Sequence, residues 1–138
     1  MVEITYALEP ELSQLEFVDL LHRSSLSDRR PVDRPEIIHG MLAYADIVLT
    51  ARADSGLLVG IARAITDYHY CTYLSDLAVR NSHQKQGIGQ ELIRRVREAG
   101  GPATIIVLAA PKAVDYYGRI GFGRHPQAWL LPPDAQLR

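Results

Sequence analysis

Six consecutive residues carry the clearest chemical signal in the chain: Gln84-Lys85-Gln86-Gly87-Ile88-Gly89. They separate an apolar, strand-like run, Tyr73 to Val79, from a run with helical spacing. Glycine is a poor helix former, yet two glycines stand where a helix begins. A helix start has unpaired backbone N–H groups and a partial positive charge. It therefore suits an anion, most often a phosphate. Glycine lets the backbone approach such a ligand and adopt dihedrals closed to other residues. The competing reading is structural: Gly87 and Gly89 make a tight turn and a close helix–sheet contact. Among phosphate-binding patterns, G-x-x-x-x-G-K-[ST] is absent. The dinucleotide fingerprint G-x-G-x-x-G/A fails because Leu92 occupies its last position. A third pattern, Q/R-x-x-G-x-G/A, is satisfied in full by residues 84–89.

Other candidates for chemistry are weaker. The histidines at 22, 39, 69, 83 and 125 lack metal-ligand spacing, and Cys71 is the single cysteine, so no metal is expected. Cys71 reads as a packed thiol rather than a nucleophile. Arg94, Arg95 and Arg97 are offset by Glu91 and Glu98, the pattern of a solvated helix face. Arg80 and Lys85 read either as phosphate contacts or as ordinary surface cations. Arg29, Arg30 and Arg34 read first as a mobile charged loop countered by Asp28 and Asp33, and second as an attractor of an acidic ligand. The 138 residues fit one domain, 1–138, and 47% hydrophobic residues suffice for a core. A net charge of −1 argues against bulk nucleic acid or an anionic membrane surface as partner. No apolar run approaches the roughly 20 residues of a membrane span. The first residues lack a signal peptide's basic start and apolar stretch. A lone cysteine fits a reducing compartment. These features predict a soluble, cytoplasmic protein.

The elements that must position the glycine loop follow from periodicity and punctuation. Residues 2–8 alternate as a short strand, and 10–22 have helical spacing, with Pro10 suited to a helix start. Residues 24–35 are the most loop-like, and a short helix follows over 35–45. Two strands, 46–53 and 57–67, flank the hairpin signal Asp54-Ser55-Gly56. A third strand spans 71–79. Residues 87–99 form an amphipathic helix with Ile88, Leu92, Val96 and Ala99 on one face. The apolar run 103–109 reads as a strand buried on both faces. Residues 111–120 read as a short helix and 121–131 as a final strand. A helix between two strands implies a parallel crossover, and the hairpins imply antiparallel pairing. The predicted class is α/β with a mixed sheet.

The run "YLSDLAVRNSHQKQGIGQELIRRV", Tyr73 to Val96, resembles the strand, pyrophosphate loop and helix of the GCN5-related N-acetyltransferases, the GNAT family. A second stretch, "AVDYYGRIGF", resembles that family's aromatic–tyrosine motif, with Gly121-Phe122 at the matching distance from Tyr117. The likeness covers about residues 45–123. It implies a mostly antiparallel central sheet with one parallel, splayed strand pair and flanking helices. It also implies acetyl-CoA as cosubstrate. Leu77, Ala78 and Val79 then meet the pantetheine arm through their backbone. Gln84, Lys85, Gln86, Gly87, Ile88, Gly89 and Gln90 hold the pyrophosphate, while Ala113 and Tyr116 lie along the cofactor. Tyr117 serves as general acid toward the departing sulfur; without the resemblance it reads as a core tyrosine. A backbone N–H near Val79 becomes the oxyanion donor.

The activity implied is transfer of an acetyl group to a primary amine of a small molecule or protein by direct attack. The rival is a non-catalytic module that binds CoA or acyl-CoA. The base stays open among Asp76, Tyr73, Ser75, Asp67, His69 and a water chain; strand alternation turns Asp76 away from Leu77 and places Tyr73 and Ser75 on Leu77's side. Residues 24–35 and the first helices would choose the acceptor. Ala110 stands where many family members have an asparagine. A homodimer is a family habit, and Trp129-Leu130-Leu131 reads as a dimer contact or as core.

Overall fold

The computed structural model describes residues 3–24 and 26–138. They divide into two compact units, one reaching Leu108 and the other spanning Ala109–Arg138. The first unit is built on five strands: β1 (Ile4–Leu8), β2 (Ile47–Ala53), β3 (Leu58–Thr66), β4 (Cys71–Val79) and β5 (Thr104–Val107). They lie in sequence order across one sheet. The first three junctions are antiparallel and β4–β5 is parallel. The predicted mixed sheet with one parallel pair is the fold observed. Gly56, at φ +90°, closes the β2–β3 hairpin where Asp54-Ser55-Gly56 signals it.

Helix α1 (Gln14–His22) starts later than Pro10 suggested. Its true start signal is the N-cap Ser13, whose Oγ accepts the Glu16 N–H at 3.2 Å and donates to the Glu16 carboxylate at 3.3 Å. Helix α2 (Pro35–Ala43) places Pro35 in its first turn, where a missing N–H costs nothing. Phe17, Leu20 and Leu21 of α1 and Ile38 and Leu42 of α2 close a core over Val48, Leu58, Ile61 and Ala78 of the sheet. Helix α3 (Ile88–Ala99) buries Ile88, Leu92, Ile93 and Val96, and it packs on β2, β3 and β4. Gly60 sits beneath it. A Cβ there would stand 3.1 Å from Ile88 Cγ2, 3.1 Å from Leu92 Cδ1 and 3.3 Å from Ala51 Cβ. Beyond the helix, β5 is shorter than expected and is not buried on both faces. It is an edge strand of exposed and half-buried residues.

One irregularity organises the sheet. Arg63 faces Asp76 and Ala64 faces Leu74, so Ser75 is an extra residue on β4. This bulge exchanges the strand's faces. Ala78 joins the core under α1 and α2, whereas Thr72 lies under Gly100 at the end of α3, where a glycine Cβ would stand 2.9 Å from Thr72 Oγ1. Tyr73 therefore does not share Leu77's face, as uninterrupted alternation predicted. The bulge also brings two side chains onto Arg63: its Nε donates to Asp76 Oδ2 at 2.5 Å and its Nη2 to Ser75 Oγ at 2.7 Å. Arg63 Nη1 reaches the Met41 carbonyl at the end of α2 at 3.1 Å.

The second unit holds a 3₁₀ turn, Pro111–Ala113, and helix α4 (Val114–Arg119). The strand predicted over 121–131 does not form. Gly123, Pro126, Pro132 and Pro133 punctuate this stretch, and proline cannot donate to a ladder. Trp129 is 92% exposed, which removes its reading as core.

Asp76 has no exposed surface. Removing it strands buried guanidinium charge, so Asp76→Ala should cost about 3–5 kcal/mol, measured by urea unfolding at neutral pH. A loss below about 1 kcal/mol would show that solvent reaches the cluster.

Candidate active site

β4 keeps its parallel neighbour only from Cys71 to Leu74. Past the bulge residue Ser75, it pairs from Asp76 to Val79 with β3 alone, so the edge that faced β5 is released. Leu77, Ala78 and Val79 lie on this released stretch. Leu77 and Val79 are half-buried, and Ala78 is core. The splay is thus produced by the brevity of β5.

The strand then runs into a loop held by backbone contacts. The Arg80 N–H donates to the Val59 carbonyl at 2.7 Å, and the Asn81 N–H to the Arg23 carbonyl at 2.7 Å. A 3₁₀ turn, Asn81–His83, follows. Gln84 folds its side-chain amide back, with Nε2 donating to the Val79 carbonyl and to Asn81 Oδ1, each at 3.1 Å. The first residue of the glycine pattern therefore braces the loop against the end of β4. Lys85 takes φ +62° and Gly87 φ +82°. Gly87 is the N-cap of α3, and its carbonyl accepts the Glu91 N–H at 3.1 Å. The amides of Ile88, Gly89 and Gln90 precede that first helical bond, so the helix itself supplies them with no carbonyl. Among the described residues nothing lies within 4 Å of where a Gly87 Cβ would stand. Its glycine answers to backbone conformation and not to crowding. Residues 84–90 thus present one continuous run of backbone at the positive end of α3.

Several charged residues have partners the sequence did not reveal. Arg80 is not a free cation: its Nε donates to the Leu58 carbonyl at 2.9 Å and its Nη2 to Asp19 at 2.8 Å. Lys85 is exposed and makes no ion pair among the described residues. Arg94 and Arg95 both pair with Glu91, as a solvated helix face should, and they hold its carboxyl down at about 2, Arg94 having the larger effect. Arg95 also lies over the Tyr6 ring, 4.7 Å from its centre. Arg30 and Arg34 are not countered by Asp28 and Asp33. Arg34 pairs with Glu36, and Arg30 reaches across to Asp76.

The two acidic candidate bases, Asp67 and Asp76, are engaged in holding structure. Asp67 Oδ1 accepts the N–H groups of His69, Tyr70 and Cys71, and these bonds keep its carboxyl below the usual range, the Tyr70 bond most. Each Asp76 oxygen accepts a guanidinium. Among the described residues no group of three His, Cys, Asp or Glu side chains gathers as a metal site. No described helix is long and apolar enough to cross a membrane.

In the second unit, Ala113 is the N-cap of α4 and donates its N–H to the Ala110 carbonyl at 2.8 Å. Tyr117 is buried. Its ring meets those of Tyr116 and Phe122 edge-on, each 5.3 Å away between centres. Burial pushes the Tyr116 hydroxyl above its ordinary pKa. The helix ends in a Schellman motif: the Gly121 N–H bonds to Gly118, the Phe122 N–H bonds to the Tyr117 carbonyl at 3.0 Å, and Gly121 takes φ +115°. The Gly-Phe pair after Tyr117 is therefore the stop of this helix, and Phe122 supplies its apolar contact.

A family model described as an acetyltransferase (GNAT) domain matches residues 35–128. The chain belongs to the GNAT family of acetyltransferases. The match spans both the glycine loop and the Tyr117 helix. Among curated relatives, an uncharacterised N-acetyltransferase, ycf52, of Porphyra purpurea is 28% identical over 127 residues, covering 83% of this chain and 71% of that protein. Its counterpart in Pyropia yezoensis is 26% identical over 102 residues, covering 71% of this chain and 58% of that protein. Among solved structures, the aminoglycoside N-acetyltransferase AAC(6')-Iy in complex with CoA superposes with a TM-score of 0.74 at 16% identity, covering 98% of this chain and 97% of that one. At that identity the likeness establishes the GNAT fold alone.

Gly87→Ala forces a side chain into the left-handed region and should lower stability by about 1–2 kcal/mol in urea unfolding. An unchanged midpoint would mean the loop relaxes to another backbone conformation.

Proposed function

We propose that this chain is an N-acetyltransferase that moves the acetyl group of acetyl-CoA to a primary amine of a small molecule or protein by direct attack. The observation that carries the reading is the released β4 edge, Ser75 to Val79, leading through one short loop into a helix start capped by a left-handed glycine. An extended, amide-containing pantetheine arm fits such an edge by strand addition. A pyrophosphate fits the amides that follow. Family membership, and the CoA bound in the structurally similar AAC(6')-Iy, support the same ligand. The reading treats residues 1–138 as one catalytic domain that needs no metal and acts in the cytoplasm.

The chemistry divides among few groups. A neutral amine attacks the thioester carbonyl, and the oxygen gains charge. A backbone N–H near Val79 takes that charge, following the family pattern. The carbon–sulfur bond then breaks, and Tyr117 gives the departing thiolate its proton. Ala113 and Tyr116 lie along the cofactor. With Asp67 and Asp76 committed to structural bonds, the amine's proton passes to solvent water. Ala110, in place of the asparagine many family members carry, favours a second reading: a module that binds acyl-CoA without transfer.

Two measurements test this. Calorimetric titration should show acetyl-CoA binding with an affinity on the order of micromolar, with NAD and ATP giving no heat of binding. Absence of binding would leave the loop as a tight turn and sink both readings; binding without amine-dependent CoA release would select the module. Tyr117→Phe should lower turnover on the order of 100-fold while acetyl-CoA affinity stays within about twofold. Equal turnover would remove Tyr117 as the acid.

A further inference from the structure

The buried cluster at the β4 bulge holds more positive charge than the fold requires. Asp76 pairs with Arg63, whose side chain is 6% exposed, and that pair alone is neutral. Arg30 adds a second guanidinium to the same carboxylate, Nε to Oδ1 at 2.5 Å, and remains 19% exposed. A buried ion pair is costly to break but does not require a third charge. Arg30 therefore needs an explanation other than the neutrality of Asp76.

Its remaining bonds supply one. Nη2 donates to the Ser75 carbonyl at 2.8 Å, and Nη1 donates to the Arg29 carbonyl at 2.9 Å. Ser75 is the bulge residue, and it begins the stretch of β4 released from β5. A single planar side chain thus ties the segment 26–34 to the strand edge at the point where that edge opens. The geometry of a guanidinium suits this, because its donors are fixed in one fork. Leu77 lies two residues further along the strand.

We propose that Arg30 is a positioning residue for the acetyl acceptor. It clasps residues 26–34 across the open end of the β4 edge, so that this segment forms a fixed wall beside the thioester. The inference rests on acetyl-CoA occupying that edge as proposed above. Because Arg63 and Asp76 stay paired without it, loss of Arg30 leaves the core neutral; it takes from Asp76 Oδ1 its guanidinium partner, which lowers stability, and it loosens the wall.

The test compares wild type with Arg30→Met, Arg30→Lys and Arg34→Met. Arg34 lies on the same segment but, among the described residues, pairs only with exposed Glu36, so its variant controls for general charge loss. Calorimetry with acetyl-CoA comes first: failure of wild type to bind ends the parent reading, and this inference with it. With binding present, CoA release is followed at saturating acetyl-CoA with benzylamine and spermidine as acceptors. Arg30→Met should raise the acceptor KM about tenfold or more while acetyl-CoA affinity stays within about twofold, with Arg30→Lys between it and wild type. Arg34→Met should match wild type. An unchanged KM, or an equal loss of acetyl-CoA affinity, overturns the proposal, even if Arg30→Met lowers thermal stability. If wild type turns over neither amine, hydrogen exchange of residues 26–34 decides. Acetyl-CoA should slow it in wild type and not in Arg30→Met, and equal slowing in both overturns the proposal.

Discussion

Asp76 is a carboxylate without exposed surface in the middle of a strand, and the first unit is arranged around satisfying it. A buried anion is tolerated only when paired and hydrogen-bonded. Arg63 on β3 supplies the pair, but an Arg and an Asp facing each other across a ladder need room to meet in plane. The extra residue at Ser75 provides that room and turns its hydroxyl to the same guanidinium. The bulge then exchanges the faces of β4. Its first half serves α3, and its second half serves the core under α1 and α2. Arg63 also reaches the end of α2, so one charge pair links both strands to the helix above them.

How much of this was legible in the sequence depended on the scale of the interaction. Hairpins, the amphipathic α3 and the order of β4, loop, helix and β5 rest on local signals: Asp54-Ser55-Gly56, the spacing of Ile88, Leu92 and Val96, and the glycine pair. Those signals act within a few residues and were read correctly. The cluster at Asp76 spans residues 30 to 76, and no local pattern announces it. Two hints were present: an arginine inside the apolar run of β3, and an aspartate that alternation places on the same side of the strand as Leu74 and Ala78. Together they mark a buried cross-strand pair, and such a pair within an apolar sheet is a reason to suspect a bulge. The strand expected over 121–131 failed for the opposite reason. Its aromatic and aliphatic residues gave a strand-like composition, but composition cannot supply a neighbour to pair with.

The candidate site shows the same division. The glycine loop was legible because backbone conformation is written in residue type: Gly87 sits at positive φ, where glycine is favoured. The Tyr117 motif was legible for a different reason. Its Gly-Phe pair is a helix stop with an apolar contact onto Tyr117. The spacing from tyrosine to glycine reports the length of a last helical turn, and it constrains the tyrosine's orientation without any reference to chemistry. A motif can therefore be diagnostic of a family while most of its residues serve geometry.

Gly60 takes part in no chemistry, yet it acts as a gauge for the site. It pairs with Val79 across the ladder and forms the floor on which Ile88 and Leu92 rest. The same residue thus sets the distance from the end of the β4 edge to the leading turn of α3. For a ligand gripped at both places, that distance is the span between its two handles. It is fixed by a missing methyl group, so the spacing such a ligand would have to match is set at a position beneath both grips.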